Sequence, residues 1–80
     1  MMPISKGKAM VLCFAAGRGT ARLHLAHLVL SNLQVYWAEE KKLAGGVYAE
    51  IFSSIGELAA RREWERGIRE TIGKDLERNN

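Results

Sequence analysis

Apolar residues recur along most of this chain at helical spacing. Between residues 20 and 44, Leu23, Ala26, Leu30, Leu33 and Trp37 follow alternating steps of three and four, which predicts one long helix. Thr20 after Gly19 is a suitable N-cap, and Gly45 supplies the left-handed residue that ends a helix. Leu25, Leu28, Val29, Val35 and Tyr36 lie on other faces, so the helix is apolar nearly all round and requires neighbours on every side.

Gly45-Gly46 then reads as a turn into a second long helix over residues 47–72. Its stripe is Val47, Ile51, Ile55, Leu58 and Arg62, with Phe52 and Ala59 beside it; after Trp64 it shifts to Ile68, Ile72 and Leu76. Gly67 stands near that change of phase and is a candidate bend, and Gly73 a candidate end, with residues 74–80 as a tail. Glu57, Arg61, Glu65 and Arg69 form an i,i+4 charge ladder on the outer face. An unbroken helix over 47–72 is about 39 Å long at about 1.5 Å per residue. A domain of this size has a radius of gyration of about 12 Å. Either Gly67 breaks the helix, or long helices project and pair with a second copy.

Residues 4–16 are less determined. Ser5 can cap a short helix ending at Ala16 with Gly17 as terminator, while Met10 to Phe14 also suits a short strand; helix is the favoured alternative. The segment that follows, "FAAGRGTARL" (Phe14 to Leu23), resembles the sugar nucleotidyltransferase signature, in which a strand enters Ala-Ala-Gly-x-Gly-Thr-Arg. That resemblance implies a loop whose glycines, Gly17 and Gly19, admit nucleotide phosphates to the backbone, with an arginine assisting the triphosphate. It covers ten residues. Ala21 is an extra residue that displaces Arg22 by one, and no aspartate precedes Asp75 to supply that family's metal ligand. No Gly-Lys-Ser/Thr follows either, as a P-loop requires. The residues themselves favour a glycine turn over Gly17–Gly19 with Thr20 as the cap of the next helix.

Composition narrows the classes further. Eighty residues make one domain, with 1–4 and 74–80 as frayed tails, and a chain this short is marginal alone, so a homodimer is expected. The single Cys13 permits no internal disulfide and, between Leu12 and Phe14, is an inert thiol; a reducing, cytoplasmic setting fits. "AMVLCFAA" after Lys6 and Lys8 imitates a secretory signal, but the run is short, and polar residues interrupt the apolar stretch 23–37, so no membrane association is expected. His24 and His27 share a helical face, yet with no other histidine and one cysteine they do not make a structural zinc site within one chain. The expectation is therefore no metal, no cofactor and no catalytic residue.

Charge is distributed unevenly. No acid precedes Glu39, so Lys6, Lys8, Arg18 and Arg22 give that part +4, while residues 39–80 hold nine acids against eight bases, or −1. A basic segment of this kind suits nucleic acid or an acidic protein surface. Tyr36, Trp37 and Tyr48 flank the Gly-Gly turn and can cluster there; Trp64 stands among arginines whose field neighbouring glutamates cancel. The expected protein is all-α, a hairpin of two long helices with a short N-terminal helix or strand, completed by dimerisation. The expected function is non-enzymatic: a small regulator or inhibitor binding a protein partner, similar in size and style to accessory proteins of phages and mobile elements. Arg18, Arg22, Tyr36, Trp37, Tyr48 and Trp64 are the candidate partner-binding residues. A DNA-binding regulator using the basic N-terminal half is the alternative.

Overall fold

The computed structural model describes the main chain of residues 4–78 and the side chains of residues 4–74. They form five helices: α1 (Lys6–Leu23), α2 (Ala26–Ser31), α3 (Leu33–Ala44), α4 (Gly46–Ile55) and α5 (Glu57–Arg78). The all-α class is as expected, but the helix boundaries differ, each for a local reason. Residues 1–3, 79 and 80 of the expected tails lie outside the described residues.

Helix α1 passes straight through the segment expected to be a turn. Ser5 caps it, its Oγ accepting from the Lys8 amide at 3.2 Å. Met10 to Phe14 is helix rather than strand, and Gly17 and Gly19 are interior helical residues with negative φ. Thr20 is no N-cap; its Oγ1 donates back to the Ala16 carbonyl at 3.0 Å, the usual bond of a mid-helix threonine. The glycines leave the helix intact because tertiary packing outweighs a propensity cost of about 1 kcal/mol each.

That packing is the axis of the fold. Ala9, Cys13, Gly17 and Ala21, each four residues apart, form a buried stripe of small side chains on α1. It faces Ala60, Trp64, Gly67, Ile68 and Thr71 of α5, all buried. Gly17 lies against the Trp64 main chain, and Gly67 against the main chain of Phe14 and Arg18. Moving three residues forward on one helix moves three backward on the other, so the pair is antiparallel. Gly67 is thus a point of close approach rather than a bend, and Gly73 does not end α5.

The helix expected over 20–44 is interrupted twice. At His24 the chain becomes extended (φ −123°, ψ 169°), which turns α2 back over α5 and buries Val29 completely. At Asn32 the side-chain amide donates to the Leu28 carbonyl (3.0 Å) and Ser31 Oγ to the His27 carbonyl (2.9 Å), satisfying the last turn of α2 locally. Of the expected seam only Trp37 is fully buried, and Leu23 is 83% exposed. The helix expected over 47–72 divides at Gly56, whose φ of 84° suits glycine alone; Gly45, at φ 56°, forms the expected turn. The longest antiparallel pairing therefore joins α1 to α5, the first and last elements, instead of two chain neighbours.

The centre of the core is aromatic. Trp37 meets Trp64 at 5.1 Å and Tyr48 edge-on at 5.3 Å between ring centroids, with Phe52 adjoining both Trp37 and Tyr48. Tyr48 Oη donates to Glu40 at 3.1 Å, and the second Glu40 oxygen lies 3.5 Å from Thr20 Oγ1, linking α1, α3 and α4. Tyr36 stands apart from this cluster, tilted against His24 at 5.0 Å.

Candidate interaction surface

Among the described residues, the α2–α4 segment covers one side of the α1/α5 pair and nothing covers the other. Along α1 the open side carries Gly7, Val11, Phe14, Arg18 and Arg22, at steps of three and four, with Met10 beside Val11. Along α5 it carries Glu63, Arg66, Glu70 and Gly73, flanked by Arg69 and Lys74. The close contact at Gly17 and Gly67 sets a shallow furrow between the two rows. The first half of the α1 row is apolar: Val11 is 66% exposed, Met10 is exposed, and the Phe14 ring is half-buried.

Arginines frame that ring. The Arg66 guanidinium lies 4.4 Å from the Phe14 centroid and is held there by Glu63, which accepts from Nη2 at 2.8 Å and from Nε at 3.0 Å. Arg18 approaches the same ring at 5.9 Å, with its Nε buried and without an acceptor among the described residues. Ion pairs engage Lys41 with Glu57, Lys42 with Glu39, Arg61 with Glu65 and Arg66 with Glu63. Among the described residues neither Arg18 nor Arg22 has a carboxylate within ion-pair distance. Of the expected ladder on α5 only Arg61–Glu65 forms.

The six residues singled out from sequence separate sharply. Arg18 and Arg22 lie on the open face. Trp37, Tyr48 and Trp64 are buried in the core of this chain, and Tyr36 is half-buried against His24. Phe14, Val11, Met10 and Arg66 complete the face and were not singled out. The signal for them was present, since Gly7, Val11, Phe14, Arg18 and Arg22 share one side of a helix, but only once residues 6–23 are taken as continuous.

The reactive groups do not assemble. Burial, reinforced by the Glu63 and Glu40 charges, pushes the Cys13 thiol up to about 11, which keeps it protonated. His24 ends α1 while His27 lies in α2, so they do not share one helical face, and both are exposed. Among the described residues no group of three or more His, Cys, Asp or Glu side chains is placed to hold a metal ion. Gly17 to Thr20 forms a helix interior, where main-chain N–H groups are committed to helical bonds instead of a phosphate.

Further apolar side chains are exposed elsewhere. Leu25, Leu28, Val35, Leu43 and Val47 of the α2–α4 segment are exposed, as are Leu23 and Leu58, which the antiparallel register puts at one end of the α1/α5 pair. Among the described residues no helix is long and apolar enough to cross a membrane. Comparison with protein-family models, curated proteins and solved structures finds no match to this chain.

Proposed function

We propose that this chain is a small non-enzymatic protein that regulates or inhibits a protein partner by binding it through the open α1/α5 face. The observation that carries this reading is the combination on that face of exposed apolar side chains, Met10 and Val11, with two arginines, Arg18 and Arg22, that have no carboxylate partner among the described residues. Charged side chains beside an apolar centre are the composition of a protein–protein interface. The exposed leucines of α2, α3 and the α1/α5 end are the proposed homodimer contact, where association removes apolar surface from water at about 25 cal/mol per Å².

A photo-crosslinking residue in place of Val11 tests the partner reading in a cell lysate. The expected product is a nuclease-resistant adduct to another protein that disappears when Arg18 and Arg22 are both changed to Glu. The same residue at Leu25 is expected to join two copies of the 8.9 kDa chain. Failure of the Val11 probe to capture protein overturns the reading. DNA-binding regulation is the alternative, supported by the absence of any acid from α1. It requires nuclease-sensitive capture and a salt-dependent duplex complex.

A further inference from the structure

We infer that the open α1/α5 face seats an amphipathic helix of the protein partner, apolar over one half and acidic over the other. This rests on the proposed protein-binding function and specifies the partner's chemistry. The face is the side of a two-helix pair left without a third layer, and a helix laid along such a furrow buries its apolar row against both. From Gly7 to Arg22 the row spans about 22 Å, which corresponds to about four turns of an occupant helix.

The charge pattern selects the occupant's polarity. Met10, Val11 and Phe14 occupy the first half of the row, and Arg18 and Arg22 the second. Val11 and Arg18 are separated by about 10 Å along the helix axis, and Val11 and Arg22 by about 16 Å. An occupant therefore needs carboxylates about two to three turns beyond its apolar anchors. The exposed guanidinium of Arg22 and the remaining donors of Arg18 would meet them as charge-assisted hydrogen bonds.

A second copy of this face is a poor occupant. Placed antiparallel in register, α1 rows would set Arg18 over the apolar Val11 and Arg22 over Gly7, between Lys6 and Lys8 of the other copy; placed parallel, arginine over arginine. No acid on α1 relieves either arrangement, Glu63 is already engaged by Arg66, and Glu70 alone stands against the arginines and lysines of the face. Duplex DNA would find cations at Arg18, Arg22, Arg66, Arg69 and Lys74, but a rigid duplex along the furrow would also press phosphates onto the apolar strip of Met10, Val11 and Phe14 and against Glu63 and Glu70.

The test uses two fluorescein-labelled helical peptides of about 18 residues, sufficient for the span. Both carry leucines at i, i+3, i+4 and i+7 in one half; the other half carries four glutamates in one peptide and four lysines in its twin. Fluorescence anisotropy with the full-length chain should show saturable binding of the glutamate peptide and about tenfold weaker binding of the lysine peptide. Val11→Glu, or Val11→Ser if that variant fails to fold, should weaken the glutamate peptide by about tenfold. Arg18→Glu with Arg22→Glu should reverse the preference between the twins. Equal binding of the twins, indifference to Val11, or no binding at about 1 mM overturns the inference. If the Val11 photo-crosslink still captures protein in that case, the partner-binding reading survives and only the acidic helix fails.

Discussion

Two glycines two residues apart in α1 should respond to the same substitution with opposite signs. A Cβ on Gly17 would lie inside van der Waals contact of the Trp64 carbonyl oxygen and 3.1 Å from Trp64 Cα. Those are main-chain atoms of a packed helix, so no rotamer change clears them and α1 and α5 must part. Overpacking of this kind costs about 1–3 kcal/mol, and rigid obstacles place it at the upper end. Replacing glycine by alanine inside a helix returns about 1 kcal/mol, leaving Gly17→Ala a net loss of about 2 kcal/mol. Around Gly19 nothing lies within 4 Å of the added atom, so Gly19→Ala keeps only the propensity term and gains about 0.5–1 kcal/mol. At about 4–8 °C per kcal/mol for a domain this small, Gly17→Ala lowers Tm by about 8–16 °C while Gly19→Ala raises it by several degrees. Urea denaturation followed by fluorescence of the buried Trp37 and Trp64, at one fixed protein concentration, measures both. Shifts of the same sign for the two variants refute the close helix contact. A loss at both is what a turn with positive φ at these positions would give.

Other substitutions and conditions probe separate parts of the fold. Ser5→Ala removes the side-chain acceptor at the start of α1 and should cost about 1 kcal/mol, while Thr20→Ala removes a buried side chain that meets Glu40 and should cost at least as much; chemical denaturation ranks them. Gly56→Ala places a Cβ at φ 84° and should cost about 1–2 kcal/mol, read from the same curves. Cys13 has a folded-state pKa of about 11 against an ordinary 9.0, so its stabilising contribution is full below pH 9 and is lost as pH rises toward 11. Stability should fall across that interval, and Cys13→Ala should flatten the fall. Burial and the Glu40 carboxylate push Tyr48 upward still further, so its phenolate absorbance should appear only with unfolding.

The all-helical class was legible because apolar residues recur at three- and four-residue steps and the chain's only proline is Pro3. The Gly45 turn was legible because its left-handed φ is a local demand that glycine alone answers cheaply. Gly56 makes the same demand and follows Ser53 and Ser54, but the apolar stripe from Ile55 to Leu58 runs across it without a change of phase. Asn32 also left a local trace, a side-chain amide that competes for helix carbonyls. The break at His24 left none. No proline or glycine marks it, and its cause is the burial of Val29 and Trp37 over a helix more than thirty residues away along the chain.

The open α1/α5 face is hard to read from the sequence for a physical reason. "AAGRGT" contains two residues that are costly in an isolated helix, so local propensity reads it as a turn. What keeps it helical is the row Ala9, Cys13, Gly17 and Ala21, four residues apart, whose small size lets α5 approach to main-chain contact. Such a row is itself a periodic signal, but hydropathy scales count glycine as neutral and miss it. Once Gly17 is assigned to the inward side, the other assignments follow from helical geometry, since Val11 and Arg22 must then point away from the core and Arg18 lies at the flank between. The same contact that makes Gly17 intolerant of a side chain therefore fixes which residues α1 presents outward. A Gly17→Ala variant that still folds would carry its α1 displaced from Arg66, loosening the Phe14–Arg66 stack without touching either residue. Its glutamate-peptide affinity should drop with that stack, while Gly19→Ala leaves it unchanged; equal affinities for the two would separate the face from the helix contact beneath it.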